Sequence, residues 1–221
     1  MSIGSKVITA ALALSVVTGV SAAGTLAANG ATTKCGGLCT DLFSAALGTA
    51  KHPGYLLNVV DQAKQAGQPV NLAASTYTNP GEDFVLSAQG LVSDFYKAGL
   101  ISGGLDSLYA NLEVIEIQYG PKAKPSGLCV GVGTTPGVDT PVTLQQCGMT
   151  VTTTWIIDPV TTSSGTYDEL INGATASNFK HPYVLTAGSP GQQLVTATLA
   201  GGDPALTHQL WGSIQGAIPA S

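Results

Sequence analysis

Arginine is absent from the sequence, and charged residues of any kind make up only 10% of its 221 positions. All eight basic residues are lysines, and the formal net charge at pH 7 is −5. Nucleic-acid binding depends on clustered Lys and Arg side chains that neutralise phosphates, and no such cluster occurs along this chain. The composition therefore argues against nucleic acid as a partner.

The chain also lacks the sequence motifs of common catalytic sites. No Gly-x-Ser-x-Gly motif accompanies its histidines, and His52 and His181 directly precede a proline, where a structural turn explains them. The adjacent carboxylates of Glu82 and Asp83 have no supporting motif either. We therefore predict that the protein is not an enzyme, with no catalytic residue and no cofactor.

Long hydrophobic runs are equally scarce, and the single one lies near the N-terminus. Lys6 is followed by apolar residues 7–20 and then by small residues, a pattern typical of a secretory signal peptide with its cleavage site. A retained membrane anchor is the alternative, but Gly24 and Gly30 dilute the segment below what a spanning helix needs. We predict a signal peptide over residues 1–23, a secreted mature protein, and no membrane association after cleavage.

Cysteine occurs only four times, at Cys35, Cys39, Cys129 and Cys147. Four cysteines in an exported chain indicate two disulfides, for which three pairings exist. We favour nearest-neighbour pairing, in which Cys35 joins Cys39. The other pair, Cys129 with Cys147, would then close a hairpin-sized loop. A metal site is the alternative, but no histidine lies near the first pair and zinc needs four ligands, so we predict no metal.

Residues 24–50 are predicted to form an N-terminal segment with its own local structure. Its two cysteines enclose a tight Gly-Gly-Leu loop that a disulfide would close. Thr40 has the side chain of a helix N-cap, Asp41 suits the positive end of a helix, and Gly48 would end it. The pattern therefore predicts a short helix over residues 41–47.

Beyond residue 50, glycine and proline recur about every ten residues between short apolar runs, a spacing typical of an all-β sandwich or barrel. Residues 111–119 have the strongest strand composition, because Val and Ile dominate their apolar positions. Residues 93–99 and 105–112 are the exceptions, since each could form a helical turn. The larger part of the chain is thus predicted to be β-structure.

The same three-part pattern occurs three times beyond residue 50, always in the same order. The first part is a short apolar strand, at residues 55–59, 128–132 and 183–187. The second part is another strand, at residues 68–72, 140–144 and 193–197. The third part is an aromatic residue, namely Phe84, Trp155 and Trp211. Three hairpin units around one axis can share a core, and closure removes exposed sheet edges.

This pattern resembles the ricin B-type β-trefoil family, the Q-x-W lectins. The motif itself is complete in residues 209–211, while Phe84 and Trp155 keep only its aromatic residue. Within that family the chain is similar to small secreted ricin-type domain proteins of filamentous actinobacteria. The resemblance implies an all-β fold, a β-trefoil with pseudo-threefold repeats, in which the three aromatic residues pack in the core.

The resemblance covers residues 51–221 and extends to the second disulfide. Cys129 and Cys147 stand where the family often bridges the first two strands of a repeat. The repeats here exceed the family's usual length, so we expect residues 93–124 and 159–179 to be surface insertions. Long insertions are thermodynamically tolerable and often carry function.

The resemblance also implies where a sugar would bind. In ricin-type lectins an acidic residue in the first strand of each repeat accepts hydrogen bonds from adjacent sugar hydroxyls. The matching positions here hold Asn58, Gly131 and Thr186. Asn58 keeps hydrogen-bonding groups without the charge, and Tyr77 lies near where the family places its stacking ring. Asn58 and Tyr77 are therefore the candidate ligand-binding residues.

Two functions follow from these observations. The first is a secreted, non-catalytic binding module of lectin type that acts as a monomer and binds glycans. The alternative is a degenerate trefoil that serves as a structural or protein-binding, inhibitor-like secreted protein. The resemblance favours the first function, whereas the vacant acidic positions favour the second.

Overall fold

A computed structural model describes residues 39–76, 78–148, 150–200 and 208–215. The predicted signal peptide and Cys35 lie outside these ranges, so the predicted pairing of Cys35 with Cys39 remains a prediction. Within the described ranges, none of the helices has the length and apolar character required to cross a membrane.

Twelve strands and two short α-helices are present among the described residues. The strands are β1 (Thr40–Ser44), β2 (Tyr55–Val59), β3 (Val70–Ala74), β4 (Phe84–Leu91), β5 (Glu113–Tyr119), β6 (Leu128–Val132), β7 (Thr140–Gln146), β8 (Thr154–Thr162), β9 (Gly165–Asn172), β10 (Tyr183–Thr186), β11 (Val195–Thr198) and β12 (Leu210–Gln215). The helices, α1 (Val92–Lys97) and α2 (Gly103–Tyr109), connect β4 to β5. Each of the three repeats therefore contains four strands: β1–β4, β5–β8 and β9–β12.

Six of the strands form a closed barrel. Each repeat contributes its first and fourth strands, which pair antiparallel in the cyclic order β1, β4, β5, β8, β9 and β12. The register repeats around the ring, since Ser44 is paired with Trp211, Tyr119 with Phe84, and Asn172 with Trp155. A closed ring leaves no unpaired strand edge that could recruit another chain.

The three remaining strand pairs, β2–β3, β6–β7 and β10–β11, are hairpins. Backbone hydrogen bonds join each hairpin to both of the others. Leu194 N donates to Val70 O at 2.8 Å, Val142 N donates to Leu194 O at 2.9 Å, and Leu144 N donates to Gln68 O at 2.9 Å. The hairpins therefore satisfy one another's backbone groups around the pseudo-threefold axis.

The aromatic residue of each repeat lies in the central apolar cluster. Trp155 and Trp211 are buried, and their indole Nε1 atoms donate to Val130 O at 2.9 Å and Leu185 O at 3.0 Å. Phe84 is also buried but has no N–H to donate, and its ring packs 5.8 Å from that of Tyr119. In the second and third repeats the aromatic residue thus ties the barrel to a hairpin by a hydrogen bond as well as by packing.

The helix predicted over residues 41–47 is wrong, because Thr40–Ser44 is the barrel strand β1. All five of its residues pair with β12, and β1 also pairs with β2 and β4. Leu42 packs in the central cluster, while the ring of Phe43 meets that of Tyr167 edge-on at 6.3 Å on the opposite face. Because both faces are buried, the strand shows no polar alternation, and tertiary packing overrides the capping signal.

The interpretation of residues 93–124 and 159–179 as surface insertions is wrong where these segments form barrel strands. They contain β5 and β9, the first strands of the second and third repeats. The composition of residues 111–119 did predict a strand, and helical turns do occur at α1 and α2. What interrupts the trefoil is thus the α1–α2 unit, which we call the helical cover.

The helical cover packs against the outside of the barrel and has an apolar cluster of its own. Phe95 and Leu105 from the cover are buried together with Ile156 and Ile171 from β8 and β9. A Cβ at Gly104 would clash with the ring of Phe179, so only glycine allows the close contact at this point. The cover therefore joins the second repeat to the third.

Candidate functional site

Asn58 lies near the end of β2, directly opposite Asn71 on β3. Its side chain is only 7% exposed, and its Nδ2 donates to Asn71 Oδ1 at 2.9 Å. Asn71 Nδ2 in turn makes a long contact of 3.4 Å with Gly191 O, which belongs to the third repeat. The candidate residue is therefore part of an amide network and does not stand alone.

The network continues from Asn58 toward the start of β4. Asn79 Nδ2 donates to Asn58 Oδ1 at 2.9 Å, and Asn79 Oδ1 accepts from Gly81 N at 2.9 Å. Thr76 Oγ1 accepts from Asn79 N at 3.2 Å and donates to Glu82 Oε1 at 3.3 Å. A Cβ at Gly81 would clash with Asn58 Oδ1, so glycine is needed at that position. The first repeat thus holds a connected polar site rimmed by Thr76 and residues 79–82.

Sequence reasoning identified Asn58 but missed its partners Asn71 and Asn79. The Asn-Pro-Gly turn at residues 79–81 was the available signal, because Asn side chains commonly accept hydrogen bonds from backbone two residues on. Tyr77, the other candidate, lies outside the described residues. Its convergence with Asn58 on one ligand remains a prediction.

The position equivalent to Asn58 in the second repeat cannot carry a side chain. Gly131 occupies it on β6, and a Cβ there would lie 2.6 Å from Thr152 O and 3.1 Å from the Cα of Thr153. The same Thr152 carbonyl accepts a hydrogen bond from Val132 N at 3.0 Å, which fixes the backbone in place. The second repeat therefore has neither a polar group at this position nor the space for one.

The equivalent position in the third repeat, Thr186 on β10, has its hydroxyl engaged within the protein. Thr186 Oγ1 donates to Val184 O at 3.1 Å and lies 3.4 Å from Gln209 Nε2. Gln209 is itself fixed, since its Oε1 accepts from Ala200 N at 2.7 Å and its Nε2 donates to Thr198 O at 2.9 Å. The Q-x-W glutamine therefore acts as a structural clamp between two strands in this repeat.

The barrel register reveals a second threefold set that sequence reasoning missed. An acidic residue lies three positions before each of the paired residues Ser44, Tyr119 and Asn172. These acids are Asp41, Glu116 and Glu169, and their side chains are all buried. Each is followed by Leu or Ile. This acid–aliphatic step was the available signal, but it cannot be aligned before β1 and β9 are recognised as strands.

The three acids differ in how the protein accommodates them. Glu116 Oε1 accepts from Thr153 Oγ1 at 3.0 Å and from Gly148 N at 3.2 Å. Asp41 lies in an acidic environment, where burial and the nearby carboxylates raise its pKa to about 7. Burial, with a contribution from Asp158, likewise raises the pKa of Glu169 to about 7. The acid at this position thus accepts hydrogen bonds in the second repeat, whereas burial and neighbouring carboxylates raise its pKa in the first and third repeats.

Cys129 and Cys147 form a disulfide that joins β6 to the residue after β7, with a Cα–Cα distance of 5.1 Å. Their sulfur atoms and a carboxylate oxygen of Glu116 lie within 4.8 Å of one another. This grouping does not offer thiolate ligands, because the two sulfur atoms are bonded to each other. The disulfide is therefore a structural element of the second repeat.

A six-stranded barrel and three hairpins around a pseudo-threefold axis define a β-trefoil, and the predicted fold class is confirmed. The structure is similar to the designed threefold-symmetric protein ThreeFoil, with a TM-score of 0.53 and 14% identity over 80% of this chain and 97% of that chain. No protein-family model matches the sequence, and no curated protein sequence matches it.

Two other similar structures are proteins that recognise or process saccharides. One is a Polyporus squamosus lectin bound to the epitope Neu5Acα2-6Galβ1-4GlcNAc, with a TM-score of 0.53 and 10% identity over 79% of this chain and 48% of that chain. The other is an exo-β-1,3-galactanase from Clostridium thermocellum, with a TM-score of 0.54 and 10% identity over 80% of this chain and 30% of that chain. This chain thus spans less than half of either protein, and identities this low show a shared fold alone.

Proposed function

We propose that the protein is a non-catalytic carbohydrate-binding module of lectin type, in which the first repeat carries the binding site. The observation that supports this is the difference among three equivalent positions. Asn58 presents an amide, Gly131 has no room for a side chain, and the hydroxyl of Thr186 is engaged internally. Only the first repeat therefore retains a polar side chain with spare hydrogen-bonding capacity at the place where the fold would hold a sugar.

The Asn58 amide has bonding capacity left for a ligand. An amide offers two N–H donors and an oxygen with two lone pairs, and the structure uses one N–H for Asn71 and one lone pair for Asn79. The remaining donor and acceptor suit a pair of adjacent hydroxyls, one of which accepts while the other donates. Tyr77 would add the apolar stacking face that sugar rings require.

The two similar structures that recognise or process saccharides suggest which class of ligand to test first. The Polyporus lectin carries an epitope that contains β-linked galactose, and the Clostridium enzyme is a galactanase. We therefore propose galactose-containing glycans as the ligand class. The protein would act outside the cell as a monomer: the N-terminal sequence has the pattern of a signal peptide, and the Cys129–Cys147 disulfide suits an oxidising compartment.

A glycan array with the purified full chain tests this proposal. We expect binding to galactose-containing glycans, and a loss of about ten-fold in affinity for Asn58→Ala, since one charge-free hydrogen-bonding group is removed. Thr186→Ala is the matched control and should bind as the wild type does. Melting curves should show that both variants are folded. Absence of binding to every glycan at millimolar concentration, or equal losses in the two variants, would contradict the proposal.

A second candidate function, a degenerate trefoil that binds another protein, is favoured by a different observation. Four large apolar side chains are more than a third exposed on or beside the helical cover, namely Leu91, Tyr96, Leu100 and Leu108. Exposed apolar residues that cluster on one element often mark interaction surfaces. Failure of the glycan array together with a protein ligand that is lost on Tyr96→Ser would favour this alternative.

A further inference from the structure

The β8–β9 hairpin carries three successive rows of paired side chains on its outer face. The rows are Ile156 with Ile171, Asp158 with Glu169, and Val160 with Tyr167. Alternate residues of a strand share a face, so the three rows are neighbours. The first row packs beneath the helical cover, whereas the third row packs with a separate apolar cluster that includes Phe43 and Leu56. A carboxyl pair therefore separates two apolar clusters.

Among the residues that the structure describes, no basic group forms an ion pair with either carboxyl. Glu169 is 5% exposed, and within the described ranges no group donates a hydrogen bond to Glu169 or Asp158. The one ion pair of the described residues joins Lys97 to Asp94, both of them exposed. Glu116, at the equivalent place in the second repeat, receives two hydrogen bonds. Like charges directly opposite each other on paired strands repel, and a buried charge without partners is costly.

The described groups on the elements that pack against the pair supply no cation either. From α2 comes Tyr109, whose hydroxyl lies 3.4 Å from Phe179 O and whose pKa is raised by burial and then by the two carboxyls. From β12 comes Leu210, which is paired with Glu169. Asp168 on β9 projects to the opposite face, and burial, with a contribution from the β8 carboxyl, raises its pKa to about 6. Glu113 begins β5, the other neighbour of β8.

The direction of the pH effect follows from the burial of the pair. Burial and the opposing Asp158 raise the pKa of Glu169 to about 7, and burial raises the pKa of Asp158. A carboxyl whose pKa is higher in the folded state than in the unfolded chain stabilises the fold while it is protonated. That stabilisation is complete below the unfolded pKa, about 4, and is lost as pH rises through about 7.

We propose that the Asp158–Glu169 pair is a pH-sensitive latch for the helical cover. While the pair holds its protons it stays between the two apolar clusters, and the cover remains closed on the barrel. When both carboxyls ionise they repel each other and require water. The first row lies directly beneath the cover, so ionisation of the neighbouring row loosens the cover while the barrel stays intact.

Hydrogen exchange of the intact protein at pH 5 and pH 8, corrected for intrinsic exchange rates, tests the latch. We expect peptides that span α1 and α2 to lose protection by about ten-fold at pH 8, as one pKa unit of coupling would give, while the β6–β7 hairpin is unchanged. Glu169→Gln and Asp158→Asn should show equal protection at both pH values. Asp94→Asn, an exposed acid on the cover itself, is the matched control and should behave as the wild type does.

Three outcomes would overturn the latch. The first is equal protection of the wild-type cover at both pH values. The second is a loss of protection spread evenly over the barrel, which would show global destabilisation. The third is an undiminished pH effect in Glu169→Gln. If that variant does not fold, Asp158→Asn tests the same pair from the opposite strand.

Discussion

The first and second repeats have the same four strands and the same register. They differ at the position that Asn58 occupies in the first repeat and Gly131 in the second. The second repeat has a disulfide between Cys129 and Cys147, and it has glycine where a binding side chain would stand. The first repeat holds the amide network centred on Asn58. The second repeat is thus held by a covalent link between its hairpin strands, whereas the first repeat holds a network of polar side chains.

This difference shows how a symmetric fold can divide its tasks. Backbone hydrogen bonds join each hairpin to the other two, so a rigid second repeat also supports the first. The indole of Trp155 adds to this by bonding Val130 O, whereas Phe84 in the first repeat cannot form such a bond. The first repeat therefore lacks an indole hydrogen bond of this kind and holds the Asn58 network instead.

The largest effect should come from removal of the disulfide. We expect Cys129→Ser combined with Cys147→Ser to lower the free energy of unfolding by about 2–4 kcal/mol, because the cross-link restricts the unfolded chain. Chemical denaturation measures this loss. Glycan affinity should stay unchanged at temperatures where the variant is folded, since the proposed binding site lies in the first repeat. An unchanged unfolding midpoint would contradict the view that the disulfide of the second repeat stabilises the fold.

A smaller effect is expected from a single methyl group in the second repeat. Gly131→Ala should cost about 1–3 kcal/mol, because the new Cβ would meet the Thr152 carbonyl and the backbone must shift. Gly133→Ala is the matched control: its Cβ would have only Gln145 Nε2 nearby, at 3.6 Å, and should change stability by less than about 0.5 kcal/mol. Equal melting temperatures for the two variants would mean that the second repeat does have room for a binding side chain.

The sequence was sufficient to predict the trefoil because three of its four strand positions carry local signals. The hairpin strands are short apolar runs between turns, and each fourth strand begins near a large aromatic residue such as Trp155. The first strands carry uneven signals: residues 111–119, which contain β5, have the strongest strand composition, whereas β1 has none. Thr40–Ser44 is buried on both faces and begins with a good capping residue, so local propensity pointed to a helix. Its strand identity depends on pairing with β12, at the other end of the chain.

The site could be predicted only in part for the same reason. Asn58 was found because it occupies a repeated position, but its bonds to Asn71 and Asn79 depend on strand register and a turn. The opposition of Asp158 and Glu169 likewise requires the register of a hairpin that was interpreted as an insertion. Composition indicates which groups exist, whereas long-range pairing decides which of them meet.

The central claim is that ligand binding belongs to the first repeat, and backbone amide chemical shifts during titration with a galactose-containing oligosaccharide test it most directly. The account predicts saturable shifts confined to β2, β3 and residues 76–82. Shifts of similar size around Gly131 or Thr186, or no saturable shift at any position, would contradict it.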